Sequence, residues 1–134
     1  MLSYNSLSII LSFLTGKHQV KLLCSNKKLI IEFFKEVPHL INCYYIIKSI
    51  DDIKNMPLYI RNIKIISNEN ATDNLFSYLK NKKIFKLNIY NCCNITDKAF
   101  ENLKGIHTLY MSCCNQKTIT DKAFENLKGT NIYH

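Results

Sequence analysis

"CCNITDKAFENLKG", Cys92 to Gly105, is followed by nearly the same words in "CCNQKTITDKAFENLKG", Cys113 to Gly129. The segment "ITDKAFENLKG" recurs unchanged from Ile95 and from Ile119, an offset of 24 residues. Recurrence at a spacing of that size points to stacked structural units rather than to a doubled cysteine site. The register runs past the identical words: Ile84, Leu87, Ile89 and Cys92 read LxxLxLxxC, and Ile106, Leu109, Met111 and Cys114 read it again. A diverged copy stands upstream, where Ile60, Ile63, Ile65 and Asn68 precede "ATDNLFSYLKN".

Each part of this grammar has a physical reason. The apolar alternation is a short strand with its large side chains on one face. The Asn or Cys that follows turns inward, where it can satisfy backbone groups freed at the strand end, so Asn68, Cys92 and Cys114 are structural positions. Thr96-Asp97 and Thr120-Asp121 supply a helix N-cap and a negative charge for the first turn. Ala99, Phe100 and Leu103 share one helical face, and Gly105 suits a left-handed stop. The unit is strand, turn, short helix, turn; stacking gives it an apolar interior that it lacks alone.

At these residues the chain resembles the cysteine-containing subclass of leucine-rich repeats, whose usual form is LxxLxLxxCxxITDxxLxxL. The resemblance implies an α/β fold: a short leucine-rich repeat solenoid with parallel strands on a concave face and short helices on a convex one. It covers residues 58–134, the last repeat being truncated after "GTNIYH", with Tyr133 expected where Leu109 stands one period earlier and an apolar edge left exposed. Residues 39–57 form an irregular or degenerate first repeat, with Ile41, Tyr44 and Ile46 as its off-period apolar positions.

Residues 1–38 differ in texture. Leu7, Ile10, Leu11 and Leu14 recur at helical spacing after Ser6, Val20, Leu23 and Cys24 suggest a second helix, and Leu29 to Val37 a third closed by Pro38. Such helices would serve as a cap on the first edge of the array. "LSIILSFLTGKHQVKLLCSNKKLIIEFF" also resembles a degenerate F-box, matched at Ile10, Leu11, Phe13, Leu14, Val20, Leu23, Cys24 and Lys27. It lacks the opening Leu-Pro and the Trp after the basic residue, and its central break is compressed. An F-box ahead of cysteine-type repeats is the layout of substrate receptors in SCF-type ubiquitin ligases, and the wording is similar to F-box and repeat proteins of giant DNA viruses. The resemblance implies docking on a Skp-type adaptor and its cullin complex through Leu7, Ile10, Leu11, Leu14, Val20 and Leu23. The repeats would then hold an unknown target protein, with the ligase chemistry in other subunits.

Side chains that alternate with the buried leucine positions would meet that target. Three columns follow from the register: Asn62, Lys86 and Thr108; Lys64, Asn88 and Tyr110; Ile66, Tyr90 and Ser112. Lys64, Asn88, Tyr90, Tyr110 and Ser112 are the binding candidates, the tyrosines foremost because they join apolar area to a hydrogen-bonding tip.

The chain has 134 residues, a formal net charge of +8, 47% hydrophobic and 21% charged residues, three glycines and two prolines. That composition suits one globular domain without long linkers. Lysine clusters at Lys27-Lys28 and "KNKK", Lys80 to Lys83, raise nucleic-acid binding as a competing class, but they are dispersed over loops and helix ends, where solvated surface is the expected role. The six cysteines lack the paired spacing of a zinc site and a histidine partner for a thiol nucleophile, so no metal, cofactor or catalytic residue is expected. "LSIILSFL" has no basic segment before it and is too short to span a bilayer, which leads to the expectation of a cytoplasmic protein, in host-cell cytoplasm or nucleus.

Overall fold

The computed structural model describes residues 44–58, 60–114 and 117–134, together with His18, Lys28, Ile31, Glu32 and Lys35. Strands and short helices alternate among them: β1 (Tyr45–Ile47), α1 (Ile50–Lys54), β2 (Asn62–Ile65), α2 (Asp73–Ser77), β3 (Lys86–Ile89), α3 (Asp97–Glu101), β4 (Thr108–Tyr110), α4 (Lys122–Glu125) and β5 (Asn131–Tyr133). The strands form one parallel sheet in chain order, β1-β2-β3-β4-β5. This is the α/β class expected from the repeat. Among the described residues no helix is long and apolar enough to cross a membrane.

The ladder fixes which residues are equivalent. Ile63 pairs with Leu87, Leu87 with Leu109 and Leu109 with Ile132, and all but the half-buried Ile132 are fully buried. Two expected registers are corrected. In β1, Tyr45 pairs with Ile63 and Ile47 with Ile65, so Tyr45 and Ile47, rather than Tyr44 and Ile46, face the core; Ile47 is fully buried whereas Ile46 is 42% exposed. The unit from Tyr45 to Ile63 is shorter than the later ones, and it is one residue shorter than the off-period spacing of Tyr44 from Ile63, which puts the strand one place out. At the other edge, Tyr133 pairs with Tyr110 and Ile132 takes the Leu109 position. Thr130 N–H donates to Leu127 C=O as Ile106 N–H does to Leu103 C=O, and the strand then starts at once, without a counterpart of His107.

The core is one continuous cluster between sheet and helices. It joins Ile63, Ile65, Leu87, Ile89 and Leu109 of the strands to Leu75, Phe76, Ala99, Phe100 and Ala123 of the helices, with Ile95, Leu103 and Leu127 closing it. Phe100 packs against Phe124 one unit on, ring centroids 5.9 Å apart. Each helix has four or five residues, too few to be stable alone, and persists because its apolar side is buried here. Ser49 caps α1 in a reciprocal box with Asp52, and Thr96 caps α3 through the Lys98 N–H. Each helix but the first leads to a left-handed turn, at Asn81 (φ 69°), Gly105 (φ 86°) and Gly129 (φ 85°). Space does not select glycine, since an added Cβ would meet nothing within 4 Å at Gly105 or Gly129; the backbone angle does, and Asn is the side chain that best tolerates it.

A second joint runs between units. Thr96 donates to the Asp73 carboxylate through both N–H (2.7 Å) and Oγ1 (2.6 Å), and Thr120 does the same to Asp97 (2.7 and 2.6 Å). Each of these threonine hydroxyls also accepts from the N–H two residues on, at Lys98 or Lys122. The cap of one helix and the carboxylate of the preceding helix are thus linked through a single hydroxyl. These two hydrogen bonds, from the Thr120 side chain and backbone, hold the Asp97 carboxyl below the usual carboxylate range.

Two outcomes are expected. Phe100→Ala removes a fully buried ring and lowers unfolding stability by about 3–5 kcal/mol in urea titrations. Because the folded-state pKa of Asp97 is depressed, the stability it contributes is present above the ordinary carboxylate pKa of about 4 and is lost as pH falls through the lower folded value. Thermal denaturation from neutral pH to about pH 3 shows a shallower acid decline in Asp97→Asn than in the wild type; equal slopes would discount the joint.

Candidate functional site

Side chains alternate along a strand, so the residues between the core positions lie on the face of the sheet away from the helices. The ladder sorts them into rows. Asn62, Lys86 and Thr108 form the first, Ile46, Lys64, Asn88, Tyr110 and Tyr133 the second, and Ile66, Tyr90 and Ser112 continue just beyond the strands.

Across β2, β3 and β4 the first row is not a free surface, although Asn131 of β5, which continues it beside Thr108, is exposed. Asn62 is fully buried, Lys86 is 7% exposed and Thr108 6% exposed. The expected contact role for this column is therefore corrected. Lys86 stands between Asn62 and Thr108 in the ladder, so neighbouring strands flank its aliphatic stem on both sides, and Thr108 Oγ1 lies 2.9 Å from His107 Nδ1. The accessible surface begins at the second row. Lys64, Asn88 and Tyr110 are half-buried there, Tyr133 is exposed, and Tyr110 and Tyr133 stack with ring centroids 5.0 Å apart and planes 19° from parallel. Ser112 is half-buried in the turn after β4 and Tyr90 is exposed at the end of β3. The Cys113 thiol beside it, by hydrogen bonding and by charge, raises the Tyr90 phenol above its usual value.

The structure thus brings Lys64, Asn88, Tyr90, Tyr110 and Ser112 onto one side of the sheet. It adds Tyr133 and Ile46, which the sequence reading missed. The signal for both was the alternation itself: in "NIY" and "YII" one residue in two must point inward, and the partners of Ile132 and Ile47 in the ladder are core residues. The surface is a strip of small polar groups ending in a stacked aromatic pair. It can hydrogen-bond and offer flat apolar area to a partner.

The inward-turning positions satisfy backbone at the strand ends. Asn68 Nδ2 donates to Lys48 C=O at 3.1 Å, and its Oδ1 accepts from Asn70 N–H at 2.9 Å. Cys92 Sγ reaches Tyr90 C=O at 3.8 Å, and Cys114 Sγ reaches Ser112 C=O at 3.7 Å and Ile89 C=O at 3.9 Å. Burial, reinforced by the Cys114 and Cys93 thiols beside it, pushes the Cys92 thiol up to about 12, and burial likewise raises Cys114. The doubled cysteines are unequal. Cys113 occupies the left-handed turn that Asn91 occupies one unit earlier (φ 60° and 54°), while Cys93 follows its buried neighbour. Among the described residues no three His, Cys, Asp or Glu side chains converge as metal ligands. The adaptor-docking candidates Leu7, Ile10, Leu11, Leu14, Val20 and Leu23 lie outside the described residues.

A comparison with known proteins finds no matching family model, no matching curated protein and no matching solved structure.

Thiol chemistry reports directly on this arrangement. In native protein at about pH 8, iodoacetamide modifies Cys93 and Cys113 and spares Cys92 and Cys114 until denaturant is added, as read by peptide mass spectrometry. Equal labelling of all four would contradict the placement of Cys92 and Cys114 in the core.

Proposed function

We propose that this chain is a leucine-rich repeat binding module, and that with its F-box-like N-terminal helices it acts as the substrate-recognition subunit of an SCF-like ubiquitin ligase. The target protein lies against the sheet face, on Lys64, Asn88, Tyr90, Tyr110 and Ser112. The N-terminal helices dock on a Skp-type adaptor, which links the target to a cullin and to the subunits that carry out ubiquitin transfer. No reaction is assigned to the chain itself.

The observation that supports this reading best is the parallel ladder joining successive copies of the LxxLxLxx(N/C) pattern in register, with an accessible polar and aromatic strip on the face away from the helices. A repeated unit places equivalent side chains side by side, which builds an extended surface for recognition rather than an enclosed pocket. The order of segments, F-box-like helices ahead of repeats, supplies the ligase half of the reading.

Affinity capture tests it. The tagged full chain retains a Skp-type adaptor at physiological salt, a Leu11→Asp/Leu14→Asp variant loses it, and Tyr90→Ala/Tyr110→Ala keeps it. Absence of adaptor in the wild-type capture removes the ligase role and leaves a stand-alone repeat binding protein. Salt-sensitive retention of RNA or DNA in its place would overturn both.

A further inference from the structure

The loops that carry the chain from each helix into the next strand all reach the same edge of the parallel sheet, because every strand starts there. Arg61 precedes β2, Lys80, Lys82 and Lys83 precede β3, and Lys104 precedes β4. Residues dispersed along the sequence therefore become neighbours: Lys80, Lys83 and Lys104 are exposed, as expected of solvated surface, but at this edge they are gathered rather than scattered. With Lys35 they surround a cleft of about 680 Å³ in which Glu101 is the one carboxylate among the described residues. Ile84 and Leu103, both buried, contribute apolar walls. Arg61 Nη1 donates to the Lys83 carbonyl at 2.9 Å, which ties the loop before β2 to the loop before β3 and fixes the guanidinium in the cleft wall.

Six cations stand around this space, and none lies within ion-pair distance of a described carboxylate; Lys54 and Asp51, which do pair, stand apart on α1. Like charges held together by a folded frame repel one another, and a multivalent anion relieves that repulsion at several points at once. The cleft has the volume of a small-molecule site. Its character is set by charge, and the Phe85 ring in its lining has one face taken by His107, with centroids 4.3 Å apart. Lysine ammonium groups and one guanidinium suit phosphate oxygens.

We infer that this strand-start cleft binds a compact oligophosphate, recognised through its phosphate groups alone, with Arg61, Lys83 and Lys104 as principal contacts. This is a site separate from the sheet face and does not depend on the function proposed above.

Calorimetric titration of the full chain with inorganic tripolyphosphate at physiological salt tests it. One equivalent binds, orthophosphate binds at least about tenfold more weakly, and Lys83→Glu/Lys104→Glu weakens tripolyphosphate about tenfold or more. Lys98→Glu/Lys122→Glu, equal in charge but on the helices, changes affinity less than about threefold. Lys83→Gln/Lys104→Gln reports the same loss should the charge reversal fail to fold, as judged by circular dichroism. The inference would be overturned by no binding by the wild type; by equal weakening in cleft and helix variants, which is a net-charge effect; or by cleft-dependent binding of short single-stranded RNA tighter than tripolyphosphate, which makes the cleft part of a nucleic-acid groove. Adenosine triphosphate binding more than about tenfold tighter than tripolyphosphate would equally refute recognition by phosphate alone.

Discussion

A three- or four-residue strand with a helix of one turn has no interior of its own, and every other feature of this molecule answers to that constraint. Phe76, Phe100, Leu87 and Ile89 are each essentially fully buried, yet what buries them belongs largely to the units before and after. The repeated sequence follows from it. If each unit is both floor for one neighbour and ceiling for the other, its side chains must fit the same shape twice, and near-identity from Ile95 to Gly105 and from Ile119 to Gly129 is one solution.

Much of this could be read from the sequence because a ladder needs equivalent residues at equivalent places. The apolar alternation placed β2, β3 and β4 correctly relative to one another, and with them the row that holds Lys64, Asn88 and Tyr110. Failures came where unit length changes without disturbing the ladder. Tyr44 and Tyr133 were misplaced because the connection after β1 and the turn before β5 are shorter than the pattern leads one to expect, whereas the strand pairing itself is regular. Asp97 was read as a charge for its own helix, an effect of local sequence; its closest partner is the Thr120 of the next unit. Sequence neighbours say little about such contacts, because the partner lies a full unit away.

Burial of the first row was illegible for a related reason. Nothing in Lys86 as a residue suggests a side chain only 7% exposed, since lysine is ordinarily found at the surface. Its setting comes from the residues flanking it across the ladder, and it leaves the later rows as the accessible part of the sheet. The edge where the strands begin differs in character: cationic, cleft-like and built from loops, where the sheet face is flat, polar and aromatic. Loops there can vary in charge and length while the ladder behind them stays fixed, so the two surfaces are free to change independently.

The threonine and aspartate that join one unit to the next sit side by side in the chain, as Thr96-Asp97 and Thr120-Asp121 do. Thr96 reaches back to Asp73 while Asp97 receives Thr120. A dipeptide therefore carries both halves of a connector, one facing each way. When the coding segment for such a unit is duplicated, plug and socket are copied together, and the new copy meets matching partners on both sides at once. An array joined in this manner can gain a member in a single genetic event without any older member having to adapt.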